Sequence, residues 1–157
     1  MATLFLMCGL PGSGKTTLAR QLERERHALR LTPDEWIVRL FGAGLTLPTL
    51  EWCRDPVEAV QWGVAERALT LGVNVILDFG FWSRVERDEF RARAAALGAG
   101  AEVHFLDVPR PVLSARLAAR NADLPPDTFR VTDAQLDLWW SLFEPPTTDE
   151  LESGTPG

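Results

Sequence analysis

Along the 157-residue chain the spacing of hydrophobic positions changes several times, and each change marks an element. Thr3-Leu4-Phe5-Leu6-Met7-Cys8 is a short apolar run, the pattern of a buried strand. Thr17 to Arg26 holds no breaker, and Leu18 and Leu22 stand one turn apart, which predicts a helix. His27 to Leu31 reads as a second strand. Thr32, Pro33 and Glu35 then supply an N-cap, a first helical residue and the far arm of a capping box. Trp36, Ile37, Leu40 and Phe41 give that helix an apolar face, and Gly42 stops it. A loop is expected from Gly42 to Thr49. The next helix is expected to open at Asp55-Pro56-Val57-Glu58, with Val57, Val60, Val64, Ala68 and Leu71 on one face and Gly72 as its stop.

Val73 to Asp78 is an apolar strand ending in a carboxylate, followed by a loop from Phe79 to Trp82. Ser83 to Glu86 forms a further capping box that opens a helix to Leu97. Ala101 to Leu106 reads as a strand and Pro111 to Arg120 as a helix. Asn121 to Asp127 is a polar loop. Thr132 caps a last helix rich in Leu136, Trp139, Trp140 and Phe143. Pro145 to Gly157 reads as a loosely draped tail. Strands alternating with helices predict an α/β fold with a parallel sheet and right-handed crossovers. Ligands of such sheets bind beyond the carboxyl ends of the strands. The segment after the first strand, Asp34, Asp78 and Asp107 all follow strand ends, so they are expected to converge on one crevice.

The segment after the first strand is Gly9-Leu10-Pro11-Gly12-Ser13-Gly14-Lys15-Thr16, followed by Thr17. It fits G-x-x-x-x-G-K-[ST], a phosphate-binding loop, and it sits between a strand and a helix as that motif requires. The glycines let the backbone turn its N–H groups toward an anion. The helix N-terminus adds free N–H groups and the positive end of its dipole. Lys15 supplies a cation for the β- and γ-phosphates, and the Thr16 hydroxyl a ligand for Mg²⁺.

Composition narrows the picture. The apolar fraction of 46% and charged fraction of 24% are those of a globular domain large enough to bury a core. No apolar run is long enough to span a membrane. Cys8 and Cys53 give neither a disulfide framework nor a metal pattern, and a cytoplasmic location is expected. The net charge of −6 disfavours a polyanionic partner. The single lysine is Lys15, and many of the arginines fall in the second half of the chain.

Four groups carry candidate chemistry. Asp78, at a strand end, is placed to help hold Mg²⁺. Asp34 follows the second strand and is placed to accept a proton from an acceptor hydroxyl, although an acid in a first helical turn also suits the helix dipole without any catalysis. Arg116 and Arg120 share a helix face ahead of a flexible loop, the arrangement of a lid that closes on a transferring phosphate. Arg84 and Arg87 are candidates for substrate contact.

With these pieces in place the chain resembles the small P-loop kinases that include polynucleotide kinase, zeta toxin and chloramphenicol phosphotransferase. The matching stretches are Gly9–Thr17, Thr32–Trp36, Asn74–Asp78, and the run from Leu106 to Arg120. The resemblance implies a three-layer fold with about four to five parallel strands and one domain over 1–144. A lid at about 116–130 and a flexible tail over 145–157 complete the expected organisation. It implies ATP and Mg²⁺ as cofactors, Asp34 as the base, and Arg116 and Arg120 as phosphate contacts. Polynucleotide kinases place an arginine shortly after that aspartate, whereas here Glu35, Trp36, Ile37 and Val38 follow. The expected acceptor is therefore a small hydroxyl compound, neutral or cationic, in a pocket built from 42–62 with Trp36, Trp52, Trp62, Phe81 and Trp82. A polynucleotide 5′-hydroxyl kinase and a nucleotide-binding switch or scaffold are the alternatives. A monomer or weak dimer is expected.

Overall fold

A computed structural model describes residues 1–42, 44–126 and 128–152; the readings made above for Ala43, Asp127 and 153–157 lie outside the described residues. Four parallel strands form one sheet in the order β2-β3-β1-β4: β1 Thr3–Cys8, β2 Leu29–Leu31, β3 Val75–Gly80 and β4 Gly100–Phe105. β1 and β3 are central and apolar on both faces, because helices cover both sides of a parallel sheet. Phe5 and Met7 of β1 face α1 (Lys15–Glu25) through Ala19 and Leu22. Leu4, Leu6 and Cys8 face the opposite layer, where Ala65 and Leu69 of α3 (Leu47–Thr70) meet Phe90 and Ala94 of α4 (Arg84–Ala96). The chain thus winds away from β1 and β3 on two faces, which opens a crevice at their carboxyl ends.

The remaining helices are α2 (Pro33–Phe41), α5 (Arg110–Ala122), α6 (Asp133–Leu142) and α7 (Thr148–Glu152). α6 begins with a complete capping box between Thr132 and Gln135. Leu113 and Leu117 of α5, Val131 of the segment before α6 and Leu136 of α6 pack on Leu10, so both helices sit over the glycine loop.

Three local expectations fail for physical reasons. Helix α3 starts at Leu47, not Asp55, and runs through Pro56. Burial of Cys53 and Val57 against Ile37 and Phe129 on either side of the proline outweighs its missing hydrogen bond. Thr32 does not cap α2 with its side chain. Its hydroxyl donates to Asp78 Oδ2 (3.1 Å) and accepts from Arg30 (2.7 Å), while Glu35 pairs with Arg30 (3.0 Å) and Arg20 (3.1 Å). Residues 148–152 are not a loose tail. They form α7, which packs on β4 and buries Glu150.

Candidate functional site

The glycine loop is shaped by close approach. A Cβ at Gly9 would stand 2.7 Å from Ser13 Oγ. Gly12 has φ +85° and would press a Cβ to 3.1 Å from Leu117 Cγ, so any side chain there is strained twice. Gly14, also left-handed, starts α1 without a side-chain cap, and no acid sits in the first turn. The first N–H groups of α1 are thereby kept for an anion.

Asp78 lies buried at the floor of this loop. Its Oδ1 accepts from Lys15 Nζ (3.1 Å), and its Oδ2 accepts from Thr16 Oγ1 (2.8 Å) as well as from Thr32. Burial alone would raise this carboxyl. The Lys15 ammonium and the three donors more than offset it and hold the group below the usual carboxylate range. Thr16 and Asp78 bring two hard oxygen donors together, a set that suits a small dication sharing its remaining positions with phosphates and water.

Two cavities flank Lys15. The first, about 290 Å³, lies over the glycine loop and α1. Its cations are Lys15, Arg20, Arg54, Arg116, Arg120 and Arg130, against the carboxylates Asp34 and Glu35. Arg116 reaches across to the carbonyls of Gly12 (3.3 Å) and Ser13 (3.4 Å). Arg120 donates to the carbonyl of Phe129 (3.2 Å), and its buried Nε has no hydrogen-bond partner among the described residues. Desolvation lowers the pKa of Arg120, opposed by attraction to Asp34. The Asn121 side-chain amide donates to the Val131 carbonyl (2.6 Å) and accepts from the Val131 N–H (3.1 Å), and Phe129 packs into the α2–α3 contact. The segment after α5 is thus drawn in over this cavity.

The second cavity, about 310 Å³, shares Pro11, Lys15, Asp34, Leu50, Arg54 and Trp139 with the first. It extends past Phe79–Trp82 toward Glu51, Asp55, Glu58 and Glu86. Arg54 of α3, in no motif, donates to Asp34 Oδ1 (2.6 Å) and lies 3.8 Å from Glu58. So an arginine does stand beside Asp34, supplied by another helix and not by the residues that follow it. Burial pushes the Glu58 carboxyl up to about 7, against the pull of Arg54 and with repulsion from Glu86, Asp55 and Asp34. Burial and the charge of Glu89 raise Glu86 as well.

Lys15, Asp34, Phe81 and Trp82 therefore line the second cavity, and the glycine loop, Thr16, Asp78, Arg116 and Arg120 gather around the first. Trp36, Arg84 and Arg87 line neither. Trp36 lines a separate apolar hollow with Pro56 and Val60. Trp52 is exposed and Trp62 packs edge-on to Phe90. Arg84 pairs with Asp88 and Asp149 at the surface. Arg87 is fully buried: it holds Glu150 with two bonds (2.7 and 3.3 Å) and donates to the Phe81 carbonyl (2.8 Å). Phe81 has φ +44°, a strained conformation for a non-glycine residue that this contact helps to fix. Sequence reasoning missed Arg20, Arg54, Arg130 and the four acidic residues of the second cavity. The signal available for three of the acids was their 3–4 spacing over 51–58, ordinary for a solvated helix face, and Glu86 stood apart on α4.

A strand, a glycine loop, an uncapped helix and a buried strand-end carboxylate meeting the loop lysine define a P-loop nucleotide-binding protein of kinase-like fold. The chain belongs to the AAA domain family, whose model matches residues 4–146. It is similar in structure to a candidate kinase from Chloroflexus aurantiacus j-10-fl (TM-score 0.73, 18% identity, 88% of this chain and 74% of that one). It is also similar to Chaetomium thermophilum Kti12 in complex with ADP-AlF3 (TM-score 0.72, 19% identity, 98% and 86%). A third similarity is to a chain of the Pnkp1/Rnl/Hen1 RNA repair complex, of which this chain spans 43% (TM-score 0.72, 22% identity, 90% of this chain). Among the described residues no helix is long and apolar enough to cross a membrane.

Proposed function

We propose that this protein is an ATP- and Mg²⁺-dependent phosphotransferase acting on a hydroxyl group of a small acceptor. The observation that carries this reading is the wall shared by the two cavities, where Lys15, Asp34 and Arg54 stand between the glycine loop and a second ligand-sized space. A switch that only binds nucleotide needs no such space.

In this reading ATP lies along the glycine loop with its γ-phosphate toward the shared wall. Lys15 leaves Asp78 for the phosphates. Thr16 and, through water, Asp78 would hold Mg²⁺, which when bound would supply positive charge against the phosphates. The acceptor oxygen attacks the γ-phosphorus, the bond to the β–γ bridging oxygen breaks, and ADP departs. The hydroxyl proton passes to Asp34, whose Oδ1 is occupied by Arg54 and whose Oδ2 carries no hydrogen bond among the described residues. Arg116 and Arg120 meet the charge spread over the equatorial oxygens.

Asp34→Asn tests the reading. It keeps the shape and cannot take the proton, so Mg-ATP affinity should persist while acceptor-dependent ADP formation falls on the order of 10²–10⁴-fold. The measurement is an ADP burst over a library of hydroxyl compounds that includes 5′-hydroxyl oligonucleotides. No acceptor dependence anywhere in the library would favour a switch. Transfer to the oligonucleotides would favour the polynucleotide alternative, for which Arg54 beside Asp34 offers a phosphate contact.

A further inference from the structure

The second cavity is defined independently of its charge, by its shared wall with the nucleotide cavity and by a volume of about 310 Å³ that fits a compact ligand. Its lining is polarised. Lys15 and Arg54 stand at the end beside the glycine loop. Beyond them come Glu51, Asp55 and Glu58 of α3, spaced four and three apart and so on one helix face, with Glu86 contributed by α4. Among the described residues, the nearest arginines place their hydrogen bonds elsewhere and reach these acids only at longer range. Arg54 commits its close contact to Asp34 and stands off from Glu58 at 3.8 Å. The α4 arginines nearest in sequence to Glu86 turn away, Arg84 to Asp88 and Asp149 and Arg87 to Glu150.

We infer that the acceptor is an alcohol that also carries a protonated amine, seated with its hydroxyl at Asp34 and its ammonium among Glu58, Glu86 and Asp55. This rests on the phosphotransferase reading and names the substrate class of the same site. Carboxylates crowded into a partly dehydrated cavity repel one another, and a bound cation relieves that repulsion while donating hydrogen bonds to them. Burial raises both Glu58 and Glu86, with added repulsion from Glu86, Asp55 and Asp34 at the first and from Glu89 and Asp55 at the second. The pull of Arg54 on both and of Arg87 on Glu86 does not offset it. The rings of Trp82 and Trp139, centroids 5.6 Å apart and tilted by 45°, add π faces that attract cations and pack on their carbon frame. An anionic acceptor would meet repulsion from four carboxylates after passing two cations.

The test uses the full chain with Mg²⁺ and a non-hydrolysable ATP analogue. Ethanolamine, glucosamine and a diaminocyclitol are titrated calorimetrically beside their N-acetyl derivatives, with gluconate as the anionic probe. The amines should bind at least about tenfold more tightly than their acetylated partners, the discrimination expected of a charged hydrogen bond. The Glu58→Gln/Glu86→Gln double variant should melt no lower than wild type and lose that preference. Equal binding of amine and amide, tighter binding of gluconate, or a preference that survives the double variant each overturns the inference. ADP formation with ATP separates the two readings. Amine-selective binding without transfer keeps the cation site and removes the kinase. Faster transfer to the acetylated or anionic probe does the reverse.

Discussion

Two cavities of nearly equal volume, about 290 and 310 Å³, meet at one wall and carry opposite charge. The first gathers cations from the glycine loop, from α1, α3 and α5, and from the segment that follows α5. The second gathers acids from two helices. They share Lys15, Asp34 and Arg54, the groups that on the proposed reading meet both nucleotide and acceptor. The difference is also one of construction. Around the first, Asp78 accepts from the side chains of Lys15, Thr16 and Thr32, which all lie where neighbouring strands end. The wall of the second depends on Phe81 and Trp82, whose shape is set from far away by Arg87 and Glu150.

The comparison breaks first where that distant support is removed. Glu150→Ala leaves the Arg87 guanidinium buried without its carboxylate, and loss of one partner of a buried pair typically costs about 3–5 kcal/mol. Urea unfolding should show a loss of that size. In the fraction still folded, acceptor affinity should suffer more than ATP affinity; equal losses in both would mean that the two cavities share their support. Next in size is the nucleotide side. Arg116→Ala and Arg120→Ala should each lower kcat on the order of 10²-fold with little change in ATP affinity, since they act on charge that grows in the transition state. Normal turnover at saturating ATP would assign them to packing over the loop.

The smallest effect sharpens the acidic side. Glu58 faces Arg54 and Asp55 on its own helix, Asp34 from α2 and Glu86 from α4, and its carboxyl is raised from 4.5 to about 7. The folded state therefore binds an extra proton between those values, and this group's contribution to stability falls as pH rises through that window. Glu58→Gln should match wild type near pH 4 and exceed it at pH 8, by at most about 3 kcal/mol. Melting curves at the two pH values check this. A variant no more stable at pH 8 would mean that Glu58 already has a counter-charge.

What the sequence disclosed follows the range of each interaction. The glycine loop and the Asp78 strand end were legible because strand, turn and helix start are local patterns with fixed spacing. Arg54 was not, because its partner Asp34 lies 20 residues away on another helix and α3 carries a proline that hid its first two turns. Thr32 was misread for the opposite reason. Thr-x-x-Glu is a sound local cap signal, but Asp78, 46 residues on, competes for the same hydroxyl and wins. Arg87 was read as a substrate contact, because nothing local in the sequence points to Glu150, 63 residues on, as its partner.

The Arg87–Glu150 clasp also sets an order of events during synthesis. The contacts of Lys15, Thr16 and Thr32 with Asp78 need nothing beyond residue 78, so the phosphate-binding floor has all its partners early in translation. Arg87 leaves the ribosome 63 residues before Glu150 does. For that interval the guanidinium has no carboxylate to enter the core with, and the turn at Phe81 is without its lock. The half of the crevice proposed to receive the acceptor thus gains this support only when α7 emerges and closes against β4.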